Sequence, residues 1–235
     1  HERRRGVSVE GVLLGSARQW NRYGETEQWC SDAFRYIPQH MDKLAVVKSL
    51  YSDSFAHGSA LLEMNTGQFL LGHPAMGAWL GYGLGTENAN LPAFVTICPS
   101  LAHGGVNNWG SAFLPAHYAG TPIGNASIKA KDAKVHHIKN SKWTPGQQRA
   151  QLDFLKQLNR NHLGGVPNPV LESRINSFEL AFRMQTAMPE IQDIRGETEA
   201  TRKLYGLDNA VTEDFGRQCL MARRFAERGV RFVQV

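Results

Sequence analysis

Cysteine is scarce, with three residues in a chain of 235: Cys30, Cys98 and Cys219, far apart and odd in number. No C-x-x-C pair occurs, which removes a zinc knuckle and a disulfide framework together. Cys98 and Cys219 sit in apolar contexts and read as small core residues. No apolar run approaches the roughly 20 residues that a membrane-crossing helix needs, so no span is expected. There is no P-loop, no H-E-x-x-H and no G-x-S-x-G, and Gly81-Tyr82-Gly83-Leu84-Gly85 lacks the strand-turn-helix setting of a dinucleotide fingerprint. Those absences set aside kinases, nucleotide-dependent oxidoreductases, zincins and serine esterases. Charge is not concentrated either. The net charge is +5, and Arg3-Arg4-Arg5 is the only tight basic cluster, which gives a weak attraction for anions but no nucleic-acid footprint. No internal repeat is present.

What remains is a globular composition, 42% hydrophobic and 20% charged. Leu44 to Leu50 is a short apolar run suited to a buried parallel strand. Ala60 to Met64 carries good helix formers and is stopped by Asn65-Thr66-Gly67. A second helix is expected from near Pro74 to the glycines at 81–85, and a second strand from Ala93 to Cys98, set off by Pro92 and Pro99. Pro99 to Lys142 has little periodicity, and a loop of that length builds a site or a lid more often than not. The second half is helical. Thr144-Pro145-Gly146-Gln147 has the form of a capping box, with Leu152, Leu155, Leu158 and His162 on one face behind it. Asn168-Pro169 opens the next helix, with Leu171, Ile175, Phe178, Phe182 and Gln185 at helical spacing. Thr212 is expected to cap a third, through Phe215, Cys219, Met221, Ala222 and Phe225, with Gly229 ending it. These stripes are expected to face the core. Val230 to Val235 then reads as a strand, and the whole as one α/β domain with a mainly parallel sheet. The chain opens on His1 with no signal-type segment and closes on a strand that its own helix has just delivered, so both ends are expected to be cut.

Two stretches can carry chemistry. Ser52-Asp53-Ser54-Phe55-Ala56-His57-Gly58-Ser59 lies between the expected strand and helix, where α/β enzymes place ligands and where a helix N-terminus favours an anion. A serine hydroxyl there can attack a phosphate or sulfate ester once a metal or base activates it, and His57 can act as acid, base or ligand. The plain alternative is a serine-rich turn with a capping hydroxyl. The second stretch is the loop His103-Gly104-Gly105-Val106-Asn107-Asn108-Trp109-Gly110, with His117 beyond it. Its glycines permit close backbone approach, and His103, Asn107, Asn108, Trp109 and His117 supply hydrogen bonds and a stacking face for a substrate; an ordered structural loop is its alternative. His136-His137 is adjacent rather than i,i+4 and reads as a surface feature.

Met64–Gly67, His73–Trp79, Tyr82–Asn88, Leu91–Val95, Asn108–Gly110, Phe113–Pro115, Tyr118–Thr121, Phe178–Met184, Glu197-Thr198, Tyr205–Leu207, Phe215–Cys219 and Ala222–Val233 form ordered blocks. From about Asn21 onward they resemble a bacterial family catalogued as domain of unknown function fifteen-oh-one, related to sulfatases. The resemblance implies an alkaline-phosphatase/sulfatase-like three-layer α/β/α fold, here incomplete, and a metal-dependent hydrolase of sulfate or phosphate esters. It places Ser52 to His57 at the nucleophile turn, with Ser54 nearest the aligned position and His57 as its partner. It also implies a divalent metal whose acidic and Asp/His motifs would lie before residue 1 and after Val235, a small-molecule or glycan ester as partner, and export to the periplasm or cell envelope. The sulfatase Cys-x-Pro-Ser-Arg signature is absent, Ala56 stands where relatives often have Asn, Ala75 where they tend to have Ser, and no cysteine lies at the turn. A noncatalytic binder of anionic glycans on the same fold is therefore the alternative expectation.

Overall fold

The computed structural model describes residues 14–136, 138–164 and 168–235, with the backbone of Arg3–Arg4 and Val7–Ser8; Arg5 and His137 lie outside the described residues. The chain divides into two compact units, 1–51 and 52–235. In the first, β1 (Arg3–Arg4) pairs antiparallel with β2 (Val7–Ser8), and β3 (Trp20–Tyr23) with β4 (Gln28–Ser31). Gly24 turns the second hairpin at φ +73°, and any side chain there would overlap the Asp42 carboxylate. That carboxylate accepts the Glu25 N–H at 2.6 Å and so ties the turn to the 3-10 segment Ile37–Lys43. Cys30 and Met41 are buried in this unit.

Residues 44–50 do not form the expected buried strand. They have no regular structure, and Val47 and Leu50 are 66% and 67% exposed. Apolar composition alone does not make a strand, which also needs a ladder partner for its backbone groups; among the described residues none pairs with this run.

In the second unit, α1 (His57–Thr66) ends on Gly67 in the left-handed conformation, as the Asn65-Thr66-Gly67 stop requires. Then α2 (Met76–Leu84) leads to β5 (Phe94–Ile97), all four residues of which are buried. Two 3-10 turns, Gly105–Asn108 and Ala116–Tyr118, interrupt the loop before β6 (Thr121–Ile123). The helices α3 (Pro145–Leu163), α4 (Pro169–Gln192), α5 (Glu199–Leu204) and α6 (Glu213–Glu227) follow, and then β7 (Phe232–Gln234). The strand order is β6-β5-β7, and both pairings are parallel. The fold is mixed α/β with a three-stranded parallel sheet. Among the described residues no helix is long and apolar enough to cross a membrane.

Because successive strand residues point to opposite faces, β5 serves two cores. Val95 and Ile97 join Met184, Met188 and Ile191 of α4 and Met221 and Phe225 of α6. Phe94 packs on the other face with Ala75, Trp109 and Phe232. There α2 comes so close that a Cβ on Gly77 would stand 2.6 Å from the Phe94 and Phe232 rings.

The capping box at Thr144 and the Asn168 cap are both made. The stripes behind them face elsewhere. No residue of α3 is buried, and Leu152 and Leu155 line a cleft of about 300 Å³ together with Leu171, Ile175 and Phe178 of α4. The core face of α4 is instead Ser173, Met184, Met188 and Ile191. This helix is covered on two sides, so its stronger aromatic stripe marks the α3 contact, where Arg149 bridges Glu179 at 2.7 Å and overlies Phe182. In α6 the buried residues are Gly216, Leu220, Met221 and Phe225, while Phe215 is exposed. Thr212 does not cap the helix with its side chain; the hydroxyl donates to the Gly206 carbonyl at 2.7 Å. Glu197, nearly buried, binds both Arg223 and Arg224 of α6, and Arg224 also donates to the Ile191 carbonyl at 2.8 Å. The hydrogen bonds from Arg223, then Arg224, hold the Glu197 carboxyl below the usual carboxylate range.

Gly77→Ala is expected to destabilise the chain by about 1–3 kcal/mol through overpacking, read as a lower urea midpoint at unchanged slope. Because the folded pKa of Glu197 is depressed, its contribution is present above the ordinary carboxylate pKa and disappears as pH falls through the folded value. Glu197→Gln should therefore flatten the acid limb of the stability profile, and an acid limb as steep as that of the parent would refute this assignment.

Candidate functional site

Parallel strands open their carboxyl ends on one edge of the sheet, the edge where α/β folds bind ligands. The loop leaving β5 there begins with Cys98 at φ +48° and folds back on α1. Gly104, at φ +99°, lets the backbone approach Leu62 of α1, whose side chain would lie 3.1 Å from a Cβ at this position. Asn108 is 3% exposed, and a buried amide needs its partners. Its Nδ2 donates to the carbonyls of His103 (3.0 Å) and Gly105 (3.2 Å), and its Oδ1 accepts from Asn65 Nδ2 at 3.4 Å. Asn65 Oδ1 in turn accepts from Gln234 Nε2 at 2.8 Å. A polar line thus runs from β7 through α1 into the loop.

This arrangement brings His103 to the start of α1. The His57 and His103 rings meet edge to face, 5.1 Å between centroids, and both residues are exposed. His103 holds φ +52°, a conformation uncommon outside glycine, with its carbonyl anchored by Asn108. Asn107 is exposed and closes its own turn, donating to the Gly104 carbonyl at 2.8 Å.

The Ser52–His57 turn leads directly into α1, but its internal bonds differ from the expected Ser54–His57 pair. Ser54 Oγ accepts the Ala56 N–H at 3.2 Å, a local turn bond, and among the described residues no hydrogen bond joins it to His57. Ser52 is the serine with a carboxylate partner: its hydroxyl donates to Glu63, which also accepts the Asp53 N–H at 3.1 Å. Glu63 therefore clamps the turn from the far end of α1. Nothing in the local pattern singles it out, since eleven positions separate it from Ser52 and only the path of the chain brings them together.

Trp109 offers no stacking face. It is 5% exposed, packed with Ala75 and Phe94, and its carbonyl accepts the Gly120 N–H at 2.7 Å. His117 sits apart from the histidine pair, against α4: Nδ1 lies 3.0 Å from Ser173 Oγ and the ring lies on Tyr118. Burial lowers its pKa. It borders a cavity of about 380 Å³ that Ser177, Ala181 and Gln185 also line. Burial raises the Cys98 and Cys219 thiols, which keeps them in the unreactive protonated form. Among the described residues no group of three or more His, Cys, Asp or Glu side chains is placed to hold a metal.

A family model described as Protein of unknown function (DUF1501) matches residues 1–235. The chain belongs to that family. No curated protein and no solved structure matches it. In this DUF1501 chain, then, two segments distant in sequence converge at the sheet's carboxyl edge: a hydroxyl-rich turn clamped by Glu63, and a histidine-bearing loop held by Asn108.

Asn108→Ala takes the side-chain donor from the carbonyls of His103 and Gly105 and breaks the link to Asn65, and is expected to cost about 1–3 kcal/mol. Amide exchange across 103–107 should accelerate in the same variant; unchanged protection there would mean that the loop is held by something else.

Proposed function

We propose that this DUF1501 chain carries the nucleophile turn of a sulfate- or phosphate-ester hydrolase, on an alkaline-phosphatase-like three-layer α/β/α fold. The observation that supports this best is the convergence of the Ser52–His57 turn and the His103 loop at the carboxyl edge of a parallel sheet. An anionic ester placed before α1 would meet free backbone N–H groups and the positive end of the helix dipole. A serine hydroxyl then attacks phosphorus or sulfur, the ester oxygen leaves with a proton, and water later releases the group from the serine. Ser54 is the proposed nucleophile. Ser52, held by Glu63, is positioned to fix the turn. A divalent metal, when bound, would supply charge neutralisation at the ester. The proposed setting is the cell envelope, with a small-molecule or glycan ester as substrate. The binding-only alternative is weakened by the burial of Trp109, which was its stacking face.

The test is turnover of an aryl phosphate and an aryl sulfate by the full-length protein, with divalent metal added. Ser54→Ala should lower kcat by at least about a hundredfold, the scale of a lost nucleophile. Loss in Ser52→Ala with Ser54→Ala unaffected would move the nucleophile to Ser52, and no turnover of either ester would end the hydrolase reading.

A further inference from the structure

The cavity of about 380 Å³ beside His117 is bordered by α3, α4, the start of β6 and the segment beyond it. Its walls are chiefly apolar, with Leu152 of α3, Phe178 and Phe182 of α4, and Val135 and Ile138 beyond β6. Among the described residues no Asp, Glu, Lys or Arg lines it. Arg149 and Glu179, each one residue past a lining side chain, pair with each other at 2.7 Å instead. Two polar features break the apolar lining. Gln185 Nε2 donates to Gln148 Oε1 at 3.0 Å. Among the described residues the acceptor Gln185 Oε1 and the donor Gln148 Nε2 have no other hydrogen bond. His117 engages Ser173 Oγ through Nδ1, and burial lowers its pKa, so the ring at the cavity wall is uncharged at neutral pH.

We propose that this cavity binds an uncharged, flat molecule that carries a hydrogen-bond acceptor beside a donor, as an aromatic amide or a nitrogen heterocycle does. An apolar cavity of about 150 Å³ takes one benzene ring, so the volume here suits about two fused rings. Water against such walls finds few partners, and its displacement by an apolar group favours binding. A charged ligand would give up its hydration with no opposite charge to receive it. The Gln148 amide donates to the ligand's acceptor, and the Gln185 carbonyl accepts from its donor. The rings then lie among Leu152, Phe178, Phe182 and Ile138. No residue of the Ser52–His57 turn or of the His103–Trp109 loop borders the cavity, so the site is separate from the proposed ester site, whose ligand is an anion, and does not depend on ester cleavage.

Titration of the full chain with 2-naphthamide and with 2-quinolone, followed through backbone amide chemical shifts, tests it. Expected is saturable binding of one molecule of either probe, with shifts at 117, 148 and 178–185 and none at 52–57. The isosteric anion 2-naphthoate should bind at least about tenfold more weakly, because its charge is left unpaired. Gln185→Leu keeps the side-chain bulk and should weaken both probes about three- to tenfold, the scale of one net hydrogen bond, while naphthalene, which has no polar group, binds as before. Ala181 lies on α4 at the cavity wall and is itself exposed. Ala181→Leu should therefore fill the cavity without unfolding the helix, and abolish binding of both probes while ester turnover is unchanged. No binding of either probe, 2-naphthoate binding as tightly as the amide, or binding that survives Ala181→Leu overturns the site. Shifts centred on 52–57 would overturn it equally, by placing the probe at the ester site.

Discussion

Strand β5 is paired along both edges and buried on both faces, and most of the second unit can be traced to satisfying it. Its N–H and C=O groups are taken up by the parallel ladders to β6 and β7, as a buried backbone demands. Its side chains then need cover on either side. Val95 and Ile97 obtain it from α4 and α6, and Phe94 from α2 and the Trp109 segment. The Phe94 ring leaves so little room that both neighbours are glycine: a Cβ would come within 2.6 Å of it at Gly77 and 2.9 Å at Gly120. The close approach of α2 and the route of the loop before β6 follow from that one aromatic side chain.

The same strand positions the candidate site. Parallel pairing puts the ends of β5 and β7 on one edge, so the loop after β5 emerges beside Gln234. The hydrogen-bonded line Gln234–Asn65–Asn108 then joins sheet, helix and loop with neutral amides, which supply direction without the desolvation penalty of a buried charge. Charged side chains do their work at the opposite end of the chain path, where Glu197 draws Arg223 and Arg224 of α6 against the end of α4. Each network is built from partners more than 25 positions apart, so each forms only as the tertiary structure closes.

Features of short range were legible in the sequence. The proline-bracketed strand at 94–97, the stop at Asn65-Thr66-Gly67, the capping box at Thr144 and the cap at Asn168 depend on neighbours within a few residues, and all appear in the structure. Readings that required knowing what an apolar residue would meet fared worse. Leu44–Leu50 lacks a strand partner and stays exposed. The stripe of α4 marks its contact with α3 rather than the core, because helical spacing shows that a face is covered without showing by what. Phe215 is exposed while Leu220, three residues after Arg217, is fully buried.

The sequence by itself determined the family, the α/β class and the two segments that meet at the sheet edge, because these rest on ordered motifs and local punctuation. The tertiary structure alone decided which side chains in those segments face one another. It paired His57 with His103 rather than with Ser54, set Glu63 against Ser52, and turned Trp109 from the expected ligand face into the core. These outcomes depend on the path of the chain between distant positions, and that path is set by the packing around β5, which no local pattern encodes.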